Sequence, residues 1–288
     1  MQIVTDSGTD LAISAAEMDE LKIHVVPLVV TLDGMTYHEG LDIEPAAFYQ
    51  LLANTDSLPV TSQPSAGDFA AIYRRIGAED PEILSIHLSS GLSGTVNAAR
   101  AGAAMVPEVD VTVVDTKTLS GASGWQVEAA GRALRKGWGK ERILALLDEI
   151  QAATDTLFTL TELRYLIHGG RISHMKGLIA SVLNLKPMIG VEKAGGTYEQ
   201  RGQARSFKGA VRGIVKLMRE QYPAGSDLRV QVMHAQNPDG AQALHDEIDR
   251  AFDCHWLPRG TISLVLGAHT GPSLVGVAYA PAETFAGV

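Results

Sequence analysis

Residues 83–114 alternate strand, loop, helix and strand, and this alternation constrains the fold more than any other stretch of the chain. ILSIHL (83–88) and VDVTVV (109–114) are apolar runs of strand length, and TVNAARAGAA between them has helical composition. Two strands joined through a helix lie parallel in one sheet, with the crossover on one face. A parallel sheet is buried on both faces, so further helices must cover it. The class expected is therefore α/β, with a mostly parallel N-terminal sheet and flanking helices. At 288 residues the chain is long enough for about two domains, and its 45% hydrophobic and 20% charged residues are ordinary for a globular protein.

The other segments fit that frame. QIVT (2–5) is a short strand ending in the loop signal Asp6-Ser7-Gly8. IHVVPLVVTL (23–32) reads as one strand with Pro27 marking an edge or bulge, followed by a turn-rich loop, DGMTYHEGLDI. EPAAFYQLLAN and SAGDFAAIYRRI read as helices, the second with a capping pair at Ser65 and Asp68. Further helices are expected at 123–136 and 140–152. Near residue 155 the pattern changes, which divides the chain into expected α/β domains of 1–155 and 156–288, the second with a mixed sheet. There, LTELRYLIHGGRIS reads as a helix stopped by two glycines, and SVLNLKPMIGVEKAGGTYEQRGQARS as a hairpin. FKGAVRGIVKLMREQY, LRVQVMHA and DGAQALHDEIDRAF read as helix, strand and helix, and GTISLVLGAHTGPSLVGVAYA as two strands around a small-residue turn.

Composition narrows the function classes. A net charge of −9 argues against general nucleic-acid binding. The single cysteine, Cys254, rules out an internal disulfide and points to a reducing cytoplasm. MQIVTDSG lacks the basic and apolar regions of a signal peptide, and no run reaches the ~18 apolar residues of a membrane span. With no CxxC or HExxH, and with His168 and His174 at no zinc spacing, neither a metal nor a cofactor is expected.

The loop SSGLSG (89–94) carries the densest chemistry. Loops at the carboxyl ends of parallel strands are where open α/β sheets bind ligands. The helix after Gly94 offers free N–H groups and a positive dipole end, and Ser90, Ser93 and Thr95 add hydroxyls. This is an anion cradle; the alternative is a helix cap with a tight turn. No Lys follows Gly94 as in a Walker loop, and Gly91 and Gly94 give G-x-x-G, short of the dinucleotide fingerprint. GLSGT departs from the nucleophile elbow G-x-S-x-G, yet a serine-type hydrolase or acyltransferase using Ser93 and His269 stays open.

Other candidates carry two readings each. Thr61 and Ser62, before a proline, are a second hydroxyl-bearing helix entrance or a plain cap. His269 in GAHTGPS lies at an expected strand end, as a ligand contact or a structural histidine. Arg171 after Gly169-Gly170 supplies positive charge to an anion or sits in an exposed loop. Arg205, Lys208, Arg212, Lys216 and Arg219 recur at helical spacing, as a docking face for an acidic partner or a solvated stripe. A small-molecule sensor that binds an acid and docks through this stripe is a third functional reading. Asp6 and Asp115, each after a strand run, are catalytic carboxylates or, as the favoured reading, turn residues that organise the hydroxyl loops.

In content and order, VTDSGTDL, LPVTSQPSAGDF, LSSGLSGTVNAA, VVDTKTLSGASG, LRYLIHGGRIS, VLNLKPMIGV and HTGPS resemble the DegV family over nearly the whole chain. The resemblance implies two α/β domains with a long-chain fatty acid buried between them. It also implies a non-catalytic role: the carboxylate is presented to a separate ATP-dependent fatty acid kinase subunit, which makes the acyl phosphate. Carried over by motif, Thr61, Ser93, Gly94 and His269 would bind the carboxylate, with Ser62, Thr95, Arg171 and Thr270 as head-group neighbours. Arg205, with Lys208 and Arg212, would face the kinase. The chain departs from the family at Ser273, where Gly is commoner, and at His38-Glu39, where an Asp commonly stands.

Overall fold

The computed structural model describes residues 1–172 and 185–288. The first strands are β1 (Gln2–Asp6), β2 (Ile23–Val26), β3 (Val29–Leu32), β4 (Met35–His38), β5 (Val60–Ser62), β6 (Glu82–His87) and β7 (Asp110–Asp115). Among them run α1 (Ala15–Glu20), α2 (Pro45–Ala53), α3 (Ala66–Gly77) and α4 (Thr95–Ala104). β2, β1, β6 and β7 form a fully parallel sheet in that order. Alternate residues feed opposite faces, as the strand period requires. Val4 and Ile83 pack with Phe69, Tyr73 and Ala99 of α3 and α4. Ile3 and Leu84 pack with Trp125 and Ala129 of α5 (Ser120–Arg135), which α6 (Lys140–Ala153) backs.

The later strands are β8 (Asp155–Thr159), β9 (Lys186–Val191), β10 (Tyr198–Ala204), β11 (Asp227–His234), β12 (Asp253–Trp256), β13 (Gly260–Thr261) and β14 (Val275–Pro281). They form a mixed sheet in the order β10-β9-β8-β14-β11-β12, with β13 also on β11. Helices here are α7 (Arg164–His168), α8 (Phe207–Gln221), α9 (Pro238–Asp249) and α10 (Leu264–Thr270). Val275, Val277 and Tyr279 of β14 pack with Ile214 of α8 and Leu244 of α9. The alternate residues Gly276 and Ala278 point to the opposite face, toward α5 and α10. The α/β class, parallel first and mixed second, is as the sequence indicates.

Several local expectations give way. IHVVPLVVTL is two strands in different sheets: Pro27 lacks an N–H for a ladder, and the chain leaves the parallel sheet there. The expected loop after it contains β4, because Asp33 (φ 50°) and Gly34 (φ 78°) make a two-residue hairpin turn that pairs β4 with β3. Thr61 and Ser62 lie on β5, the other edge of that small sheet, while Ser65 caps α3 three residues later. LVLGAHT is the helix α10, capped by Ser263, so His269 belongs to a last helical turn and not to a strand end. The helix before Gly169 spans only Arg164–His168. The beginnings of the expected hairpin (181–184) and His174 lie outside the described residues.

Candidate functional site

Two cavities meet between the sheets. The polar one holds about 460 Å³ of empty space, its mouth included, and is lined by Thr61, Ser62, Ser93, Arg171 and His269. The second, about 430 Å³ with its open edge included, is almost wholly apolar. Leu119, Tyr198 and Leu266 line both, so these three side chains are the wall between a polar chamber and an apolar one.

Four separate elements deliver the polar groups. β5 brings Thr61, the β6–α4 loop brings Ser93, the segment after α7 brings Arg171, and α10 brings His269. Thr61 Oγ1 is 2.7 Å from His269 Nε2. Nδ1 of that ring is buried with no partner among the described residues. Burial first, and then Arg171 and His168, push the imidazole down to about 3, so it is neutral at physiological pH. Arg171 donates to the carbonyls of Leu92 (3.1 Å) and Gly169 (2.6 Å), and meets no carboxylate among the described residues. Desolvation lowers its pKa, yet a guanidinium stays charged. Among the described residues the chamber therefore offers hydroxyls, a neutral imidazole and one positive charge, with no acid lining it. That is an environment for a small anion.

The loop SSGLSG divides its labour. Ser93 Oγ lies 2.8 Å from Thr95 Oγ1 and also takes the Thr95 N–H at 3.3 Å, on the edge of the polar chamber. Gly94 caps α4 without a side-chain bond, and Thr95 is fully buried behind it. Ser89 donates to the Gly196 carbonyl at 2.8 Å, tying the loop to the β9–β10 turn. A Cβ on Gly91 would overlap the carbonyl oxygen of Gly195, so this close approach needs glycine. Ser90 bonds Asp115, which also pairs with Lys117 at 2.9 Å, so a lysine and a carboxylate remote in sequence brace the loop. Asp6 takes the N–H groups of Gly8 (3.0 Å) and Leu88 (3.1 Å) and faces His87 at 2.9 Å, fully buried below the loops.

Four residues sit apart from the polar chamber. Thr270 lines the apolar cavity and gives its hydroxyl to Leu266 O at 2.8 Å, because the helical register turns it away from His269. Arg205 and Lys208 are exposed, and Arg212 pairs with Glu247 of α9 at 3.3 Å; none of the three lines either cavity. Their helix packs on the sheet face away from Gly276 and Ala278. His269 faces Thr61, and Ser93 faces Thr95, so the described contacts include no bond of the serine–base kind between Ser93 and His269. Sequence reasoning passed over Tyr198, Leu119 and Gln63; only Gln63, inside TSQPS, carried a motif signal. Ser273 accepts the Thr161 N–H at 3.0 Å, and Glu39 accepts the Leu264 N–H at 2.6 Å, so both departures from the family pattern have structural partners.

A family model described as an uncharacterised protein of the DegV family matches residues 1–282. The chain belongs to the DegV family. A DegV domain-containing protein of Deinococcus radiodurans is 33% identical over 279 residues, covering 97% of this chain and 95% of that protein. A DegV-family structure from Thermus thermophilus, described by its fatty acid binding, superposes with a TM-score of 0.87 at 32% identity, over 97% of this chain and 99% of that one. DegV of Bacillus subtilis, described as a fatty acid binding protein, gives a TM-score of 0.86 at 28% identity, over 97% and 98% of the two chains. Among the described residues, no helix of this DegV-family chain is long and apolar enough to cross a membrane.

Proposed function

We propose that this chain binds a long-chain fatty acid across the two cavities and presents its carboxylate to a separate ATP-dependent kinase subunit for acyl-phosphate formation. The observation that carries the reading is that a polar chamber, acid-free among the described residues, and an apolar one share Leu119, Tyr198 and Leu266 as a common wall. The fatty acid binding described for the Thermus and Bacillus relatives supports it. Burying about 14 methylenes at ~0.8 kcal/mol each offers roughly 11 kcal/mol before the costs of binding. The tail thus supplies the affinity. The head group must offset the desolvation of a carboxylate, and charge-assisted hydrogen bonds of ~1.5–3 kcal/mol each serve that need.

In this reading His269 donates through Nε2 to Thr61 Oγ1, which frees the Thr61 hydroxyl to donate onward to the carboxylate. Ser93 donates from the other side, with Gly94 and Ser62 beside it, and Arg171 supplies positive potential without a direct carboxylate clamp. The chain itself performs no catalysis; Arg205, Lys208 and Arg212 form the docking face for the kinase. A cytoplasmic location goes with that partner. Native mass spectrometry of protein purified from bacteria is expected to show bound fatty acid. Lipid-free protein that takes up neither palmitate nor oleate overturns the reading. Thr61→Ala with Ser93→Ala is expected to weaken binding roughly ten- to hundredfold, the loss of one or two such bonds. Charge reversal at Arg205 and Lys208 is expected to leave lipid binding intact and lower acyl-phosphate formation.

A further inference from the structure

The apolar cavity has a built floor and a built end. Along β14, Gly276 pairs with Phe158 on one side and Met233 on the other, and Ala278 pairs with Thr156 and Gln231. Each row reads large, small, large, so the two small residues leave a trough along β14. Of these, Phe158, Met233 and Thr156 line the cavity with Gly276 and Ala278, but Gln231 does not. Gln231 is buried, and its amide is held at both ends: Oε1 accepts from Trp125 Nε1 at 2.9 Å, and Nε2 donates to Pro258 O at 3.3 Å. It presses on Gly121 of α5, which lines the cavity, and a Cβ there would overlap the amide oxygen. Beyond this row the space is filled by Trp125, Ala280 and Phe285.

We infer that Gln231 sets the maximum acyl length: the methyl end of the ligand stops at the Thr156–Ala278–Gln231 row. The inference rests on the fatty-acid reading above. A strand in a buried sheet accepts an apolar residue at such a position, so a glutamine locked by two hydrogen bonds is a costly choice with an effect. A chain one methylene too long has to displace the amide and leave the Trp125 N–H and the Pro258 carbonyl unpaired. Those two losses exceed the gain from burying one more methylene. A purely apolar end would instead yield by side-chain rearrangement.

The test is a competition among saturated fatty acids from laurate to arachidate, read by native mass spectrometry on the full chain. Gln231→Ala is expected to move the preferred length upward by about two carbons, the size of the removed amide in methylenes. Ala278→Val, which fills the trough from inside and leaves the amide in place, is expected to move it downward. Either variant suffices if the other does not fold. An unmoved length optimum in a folded variant that still binds fatty acid overturns the ruler. Failure of the unmodified protein to bind any member of the series overturns the fatty-acid reading itself, which is a separate outcome.

Discussion

Burial, together with the Arg171 guanidinium and His168, holds the His269 imidazole far below its ordinary value, at about 3. The ring therefore stays neutral in the fold while it takes a proton near pH 6.5 once unfolded. Between those values the unfolded chain binds more protons, so this residue lowers stability as pH falls from about 6.5 toward 3. NMR of ring-labelled protein is expected to show no titration of His269 above about pH 4. A midpoint near 6.5 would mean that the ring is solvated or paired with an acid. At this scale the sequence was informative where a residue's chemistry is rare: Thr61, Ser93, Arg171 and His269 do line one chamber. It does not separate His269 from Thr270, since adjacent residues diverge by a helical register where the sequence reads as a turn at a strand end. Tyr198 and Leu119 were invisible because a lining side chain and a core side chain look alike in a sequence.

α10 is held at its first turn by two acids from distant segments. Asp10 Oδ1 accepts the Ser263 N–H at 2.8 Å, and Glu39 Oε1 accepts the Leu264 N–H at 2.6 Å. Ser7 donates to Glu39 at 2.8 Å, and Ser120 donates to Asp10 at 2.5 Å. Desolvation is the main cause that raises Asp10 to about 7 and Glu39 to about 8; the Asp6 charge raises both further, and Asp10 raises Glu39. The folded state thus keeps protons that the unfolded state has lost, so this stability is full below the ordinary carboxylate range and declines as pH rises through 7 and 8. Thermal unfolding is expected to show a Tm that falls from about pH 5 to pH 8, flattened by Asp10→Asn with Glu39→Gln, which keep an acceptor oxygen for each N–H. An equal slope in the double variant would remove the acids from this role. In sequence, Leu264–Leu266 reads as the end of a strand and Gly267–Thr270 as a small-residue turn, because a short apolar run is compatible with either state. The capping role of Ser263 decides for helix, and that signal is only a hydroxyl among many. The βαβ unit, by contrast, is legible because strand, helix and strand patterns succeed one another within about thirty residues.

At the scale of the molecule, the proposed division at residues 155 and 156 falls where α6 ends and β8 begins. Apolar packing ignores it. One cluster joins Leu28, Phe48 and Leu119 to Phe158, Ile189 and Leu264, and another joins Ile3, Ile86 and Trp125 to Ala278 and Phe285. A fragment of residues 1–155 is therefore expected not to fold alone; a dispersed amide spectrum from it would show that the parallel sheet is self-sufficient. Sequence pattern gave the change of topology but not this sharing of core, because contacts between remote segments leave no local trace. The polar chamber needs position 61 and position 269, and the trough needs β14, which ends at residue 281. A chain still being made has its hydroxyl loops early and acquires its imidazole and its floor only much later in synthesis. On the fatty-acid reading, loading waits for both, and until they emerge Leu28, Leu119 and Trp125 stay uncovered on one side.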